Sequence, residues 1–289
     1  MPSAARSSRC SNRYPPKSVV VGVDGSDAAI RAARWAVDEI AGTDIPLRLL
    51  YVAKPNPSAS PGEARAAILA AEELVHDACH AVAEMGEPLK VETEVLHGQP
   101  VPALLATSRS TTLLCVGDTG AAQRPDAWLG STAKELAQLG HCSVAIIRGE
   151  RDAGAMVGGW VVALVDGSPD GIDVLEMAIQ EASHRRLPLR AVTAAQPRSG
   201  DVQEDRDSAI GESRMRRCID NYPEVEIDRV LLEGSFLDYL AEYAALIQLV
   251  LVGATQTDEV QQLLGAAGAR ALRDSEFALL VVGLERPGR

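Results

Sequence analysis

Residues 19–40, VVVGVDGSDAAIRAARWAVDEI, return as residues 161–182, VVALVDGSPDGIDVLEMAIQEA, with V-D-G-S at Asp24 and again at Asp166, an offset of 142. PLRLLYVAKP at 46–55 and PLRAVTAAQP at 188–197 keep that offset. VLHG (95–98) against LLEG (231–234) and LLCVGDTG (113–120) against LVLVGATQ (249–256) follow at 136, and VAIIR (144–148) against LLVVG (279–283) at 135. Five segments in one order mean that the chain is a duplication, and an internal repeat constrains the fold more than any other pattern. A chain of 289 residues then divides into two domains of ordinary size. The expected organisation is a disordered basic tail over 1–16, a first domain over 17–149, a linker over 150–158 and a second domain over 159–289. The glycine-rich stretch GERDAGAMVGG around the join suits a linker.

Within each copy, strand and helix patterns alternate. VVVGV is an apolar, β-branched run bounded by D-G-S, as in a strand buried on both faces. Ser26 or Asp27 then caps a helix whose apolar positions, Ile30, Ala33, Val37 and Ile40, fall on one stripe. LRLLYV is a second strand, 62–85 a long helix stopped by Gly86 and Pro88, and VETEVLHG a third strand. Pro102 to Ser108 reads as a short helix, LLCVG as a fourth strand, Gly130 to Leu139 as a further helix and VAIIR as a fifth strand. Such alternation predicts an α/β fold of two repeated doubly wound, Rossmann-like domains, each with a five-stranded parallel sheet.

Charge and composition exclude several functions. The net charge is −12, so a phosphate backbone is repelled and nucleic acid is not an expected partner. Aromatics make up only 3% of residues, too few for base-stacking platforms. No apolar run reaches the ~20 residues that cross a bilayer. The tail carries Arg6, Arg9, Arg13 and Lys17 without an apolar stretch, so it does not read as a secretory signal. Five cysteines, with no C-x-x-C pair, read as free thiols and point to a cytoplasmic protein. Cys115 and Cys142 have the apolar surroundings of packing residues.

Open α/β sheets bind ligands beyond the carboxyl ends of their strands, where strand order reverses. In the first copy Asp24 ends strand one, Val52 ends strand two, and Gly117 ends strand four and opens the loop GDTGAAQRPDAWLGST. Glycines at 117, 120 and 130 let backbone amides approach an anion, and the helix start at Ser131 and Thr132 adds free N–H donors and hydroxyls. Asp24 is placed to accept from ribose hydroxyls. Together these features describe a mononucleotide site. Read alone, the glycines and Ser131 are also compatible with an ordinary turn and helix cap. Neither a Walker loop nor G-x-G-x-x-G is present.

With VVVGVDGS, LRLLYV and Gly117-x2-Gly120-x9-Gly130-Ser131 in this order, the chain resembles a tandem-domain universal stress protein across nearly everything but the tail. The glycine string matches that family's ATP-binding pattern, G-x2-G-x9-G-[S/T]. The resemblance implies an adenine nucleotide alpha hydrolase-like fold and an ATP-binding, nucleotide-responsive regulator of stress or growth. It implies Gly22, Val23 and Asp24 on one side of the nucleotide and Val52 and Val116 around adenine. Gly117, Gly120, Gly130, Ser131 and Thr132 would cradle the phosphates, with Mg²⁺ accompanying them. It also implies that the last strands of the two copies meet across a pseudo-twofold axis, an intrachain pseudo-dimer, with a homodimer as a further expectation and the protein partner unknown. The alternatives are a slow ATP hydrolase or adenylyl-transfer enzyme, and a structural dimeriser without nucleotide.

Two acids, Asp118 and Asp126, fall inside the phosphate loop, where they are expected to repel a triphosphate unless Mg²⁺ or Arg124 offsets them. The second copy departs further. Gln256 replaces the second glycine, the spacing to Gly265 is one residue short, and Ala266 replaces the hydroxyl, so this copy is expected to bind ATP weakly or not at all. His76, Cys79 and His80 share a helix face but lack a fourth metal ligand, and no metal site or catalytic residue is assigned. His97 and His141 read as local hydrogen-bond partners, and Trp35 and Trp128 as packing residues, with Trp128 also placed to cover the loop.

Overall fold

The computed structural model describes residues 18–121, 128–149, 158–166, 168–194, 213–214, 216–217 and 219–283. The expected tail over 1–16, nearly all of the expected linker, Cys10, Cys218, Arg124 and Asp126 lie outside the described residues.

The first copy runs β1 (Val19–Val23), α1 (Asp27–Ile40), β2 (Leu47–Ala53), α2 (Pro61–Ala83), β3 (Val91–His97), α3 (Pro100–Thr107), β4 (Leu113–Gly117), α4 (Ser131–Leu139) and β5 (Ser143–Ile147). The second runs β6 (Trp160–Leu164), α5 (Pro169–Arg185), β7 (Leu189–Ala194), β8 (Ile227–Leu232), α6 (Phe236–Tyr243), β9 (Ile247–Gly253), α7 (Thr257–Leu264), α8 (Ala266–Ala271) and β10 (Ala278–Val282).

Local chemistry explains the boundaries. Ser26 caps α1, its hydroxyl accepting from the Ala29 N–H, and Ser168 caps α5 through Gly171. In α2, Ser60 and Glu63 form a reciprocal capping box with Pro61 at the first turn. The buried stripe of α1 is alanine-rich, Ala28, Ala29, Ala32, Ala33 and Ala36 followed by Val37 and Ile40, so this helix lies close on the strands. Eight of the ten strands, all but β3 and β8, have neighbours on both edges, and β1, β4, β5, β6, β9 and β10 among them read as near-continuous apolar runs.

Among the described residues the strands form one ten-stranded sheet, ordered β3-β2-β1-β4-β5-β10-β9-β6-β7-β8. Every pairing is parallel except β5 with β10, which is antiparallel with Val144 opposite Val281, Ala145 opposite Leu280 and Ile146 opposite Leu279. The sheet is thus two five-stranded parallel halves joined at their last strands, edges that would otherwise be apolar and unpaired. Its two faces carry separate core layers, and both layers cross the junction. One holds Val21, Ala145, Val161 and Leu280, with α1, α2 and α5 above it. The other holds Val20, Val144, Val162 and Leu279, with α3, α4, α6 and α7 above it. In each half strand order reverses between its first and fourth strands, which opens a crevice at β1/β4 and at β6/β9.

Candidate functional site

At the β1/β4 crevice, Asp24 forms the hub. One carboxylate oxygen accepts from the Ser26 N–H at 3.1 Å and the Ser26 hydroxyl at 2.6 Å. The other accepts from the Ala121 N–H at 2.9 Å. Asp24 therefore orders the start of α1 and also holds the loop that leaves β4. Asp166 repeats the first of these roles, accepting from Ser168 N–H at 3.0 Å and its hydroxyl at 2.6 Å. Asp24 and Asp166 thus each tie down the serine that starts the following helix, and the contact to Ala121 is an addition in the first half.

The loop glycines have distinct reasons to be glycine. A Cβ at Gly117 would sit 2.6 Å from the Ala28 carbonyl carbon, so Gly117 is where β4 passes beneath α1. A Cβ at Gly120 would lie 2.8 Å from an Asp24 carboxylate oxygen, so the loop meets the acid only without a side chain. The Gly130 N–H donates to the Asp118 carbonyl at 2.6 Å and closes the loop on itself. Gly130 then starts α4 with no side chain capping it, although serine caps α1, α2, α5 and α6. Ser131 is exposed and Thr132 half-buried at that helix start. The structure therefore gathers Asp24, Gly120, Gly130, Ser131 and Thr132 on one lip. Gly22, Val52 and Val116 sit deeper, with Val52 and Val116 packed beside Leu104 in one core layer, and Val23 is buried in the opposite layer.

Asp118 does not stand in the loop as an unscreened charge. It is buried and faces two arginines, Arg148 Nε at 3.3 Å and Arg31 at 3.7 Å. The expected repulsion is therefore corrected for this residue, whose charge is balanced from below. Burial lowers the Arg148 pKa and Asp118 opposes that shift. The same guanidinium lies 3.8 Å over the Trp128 ring and donates to the Leu272 and Arg273 carbonyls of the second half, at 3.3 and 3.1 Å. Trp128 is itself buried, and its indole N–H donates to the Leu263 carbonyl at 2.9 Å. Both sides of the loop are tied to the second half. Sequence reading missed Arg31 and Arg148; the only available signal was that Arg148 directly follows β5.

The β6/β9 crevice is built differently. Gln256 is buried; its side-chain oxygen accepts from the Gly253 N–H at 2.8 Å and its nitrogen donates to the Leu164 carbonyl at 3.2 Å. Leu164 occupies the repeat position of Gly22. The carboxamide bridges the ends of β6 and β9, and α7 starts directly after it. Beside it remains a cavity of about 150 Å³, whose lining includes Leu164, Ser235, Phe236, Leu237, Glu259 and Leu263.

Elsewhere His76 and His80 are exposed and Cys79 is half-buried, with His80 Nδ1 3.5 Å from Glu84. Among the described residues no group of three His, Cys, Asp or Glu is placed to hold a metal. His97 and His141 are exposed, and the His141 N–H donates to the Ser108 hydroxyl at 3.1 Å. Among the described residues no helix is long and apolar enough to cross a membrane.

Residues 16–148 match the model of the universal stress protein family. Over 272 residues the chain is 38% identical to the universal stress protein Rv2028c of Mycobacterium tuberculosis, covering 93% of this chain and 97% of that protein. A second relative from the same organism, Rv2624c, is 34% identical over 268 residues, 92% of this chain and 96% of its own. Among solved structures, a universal stress protein from Archaeoglobus fulgidus superposes with a TM-score of 0.70 over 95% of this chain and 98% of its own, at 16% identity, a likeness of fold.

Proposed function

The chain belongs to the universal stress protein family, and on that premise we propose that its first half binds one adenine nucleotide, ATP as the expected form, while the second half is its fixed, nucleotide-free partner. The observation that carries this reading is the contrast between the two crevices. At β1/β4 a side-chain-free loop meets Asp24 and leads into a helix start that no side chain caps. At β6/β9 the place of the loop glycine is taken by the Gln256 carboxamide, which bridges the two strand ends. An uncapped helix start beside glycine amides favours an anion.

In this reading Gly22, Val23 and Asp24 border the nucleotide, and Asp24 exchanges the Ala121 N–H for a ribose hydroxyl. Val52 and Val116 offer backbone groups and an apolar wall to adenine. Gly120, Gly130, Ser131 and Thr132 receive the phosphates, and Gly117 sets the path of the loop from beneath α1. Mg²⁺ would be carried chiefly by phosphate oxygens and water, because Asp118 is engaged by two arginines. The same pairing removes Asp118 as a general base, so binding and response to nucleotide are proposed rather than turnover. The domain limits 17–149 and 159–289, a cytoplasmic setting and a role in stress or growth regulation belong to the same proposal.

A scaffold without nucleotide is the second reading, favoured by the hydrogen bonds that already engage both Asp24 carboxylate oxygens. Mass spectrometry of protein purified without added nucleotide, followed by calorimetric titration with ATP and Mg²⁺, separates the two. One site per chain is expected. No binding at all supports the scaffold, and two equal sites overturn the assignment of the second half.

A further inference from the structure

Glu39 on α1 and Glu181 on α5 occupy the same position of the repeat, offset by 142. The near-twofold arrangement of the halves brings these two acids to a single guanidinium. Arg185 makes ion pairs with both carboxylates, and the side chains of Glu39, Glu181 and Arg185 are only 8%, 15% and 12% exposed. The repeat partner of Arg185 is Thr43, so the first copy supplies no second base. Two buried acids therefore share one buried cation, a cluster one positive charge short of balance.

We propose that the seam between the two halves is a proton-binding site, in which Glu39 holds a proton at neutral pH because Arg185 can balance only one of the two repeat-related acids. Burying an unbalanced carboxylate costs more than protonating it. The other groups around Glu39 do not supply the missing charge. Arg185 Cζ lies 5.4 Å from the face of Trp35, and the neighbouring His184 sits at the surface with Nε2 2.9 Å from the Asp38 carbonyl. From the residue that follows α2, Glu84 engages Arg34 at 3.4 Å. From β4 below, Cys115 is a buried thiol held neutral, its pKa raised well above the usual value chiefly by burial. In keeping with this setting the Glu39 carboxyl is pushed up to about 8, first by burial and then by the charge of Glu181, against the pull of Arg185.

The linkage has a definite sign. A folded-state value above the unfolded one means that the folded chain binds the extra proton between the two. The contribution is fully present below the unfolded value of 4.5 and is lost as pH rises toward about 8. Within that window the folded chain holds about one more proton than the unfolded chain, so each unit rise in pH raises the unfolding equilibrium constant by about tenfold.

The test is urea unfolding of the full chain at several pH values between 5 and 9, for wild type, Glu39→Gln and Glu181→Gln, with infrared spectra of the native proteins at pH 7. Glu39→Gln is expected to remove about one tenfold step per pH unit from the dependence seen in wild type. A protonated-carboxyl carbonyl band is expected in wild type at pH 7 and expected to be lost in Glu39→Gln. In Glu181→Gln, Glu39 has Arg185 to itself, and the band should again be absent. Equal pH dependence in wild type and Glu39→Gln, or no protonated-carboxyl band at pH 7, overturns the proposal; if a variant fails to fold, the wild-type spectrum alone decides.

Discussion

The amide nitrogen of Gln256 lies 3.2 Å from the carbonyl of Leu164, so one side chain bridges the carboxyl ends of two neighbouring strands in the second half. Its oxygen also accepts from Gly253. Replacing it with alanine leaves buried backbone groups without partners, which costs about 1–3 kcal/mol. Gln256→Ala should therefore lower the urea midpoint. Titration with ATP should still return a single site, because Ala266 and the short spacing remain.

Ser131 stands at the start of α4, exposed, where no side chain caps the helix. If the first half takes a triphosphate there, Ser131→Ala removes a charge-assisted hydrogen bond worth about 1.5–3 kcal/mol, roughly tenfold or more in Kd. Calorimetry should register that loss while the thermal midpoint of the nucleotide-free protein stays within a degree or two of wild type. Unchanged affinity would remove Ser131 from the site.

Gly117→Ala tests the path of the chain under α1. The added Cβ would meet the Ala28 carbonyl carbon at 2.6 Å, and an overpacked contact against backbone costs about 1–3 kcal/mol. Gly62→Ala is the matched control, since nothing lies within 4 Å of its Cβ site in the first turn of α2. That change should stabilise by about 0.4–1 kcal/mol through the unfolded chain. Denaturant midpoints moving in opposite directions check both.

Asp118→Asn leaves Arg31 and Arg148 facing a neutral amide. Arg148 keeps the Leu272 and Arg273 carbonyls and the Trp128 face, so the loss is set at about 1–3 kcal/mol rather than that of a fully orphaned charge. Scanning calorimetry reads it as a lower Tm. Trp128 fluorescence should change with it, because the cation over the indole loses its anchor.

The thiols should differ in reactivity. Burial pushes Cys142 up to about 12 and Cys115 well above the usual value; burial also raises Cys79, but that thiol is only half-buried. Only the thiolate attacks, so alkylation at pH 8 followed by peptide mapping should find Cys79 modified ahead of Cys115 and Cys142.

Much of the architecture was readable because the signals are local. Val19 to Val23 and Leu113 to Gly117 are unbroken apolar runs, and Ser26 and Ser60 are helix starts that a single side chain decides. The divergence of the second crevice was equally local, since Gln256 stands where glycine would be. What stayed hidden depends on residues far apart in the chain. Arg31 and Arg148 reach Asp118 from another helix and from the end of another strand. The Trp128 indole finds its acceptor at Leu263, across the junction. The encounter of Glu39 with Glu181 was implicit in the repeat, but only the antiparallel joining of β5 and β10 sets the copies so that equal positions approach.

That joining has a consequence for how the protein behaves at low abundance. When two such sheets belong to separate molecules, their union follows mass action and fails on dilution. Here the two interlocking strands travel on one polypeptide, at an effective concentration that is on the order of millimolar for short connections. A cell holding a handful of copies would contain the complete ten-stranded platform in each of them, and a change in expression would alter their number but not the completeness of that sheet.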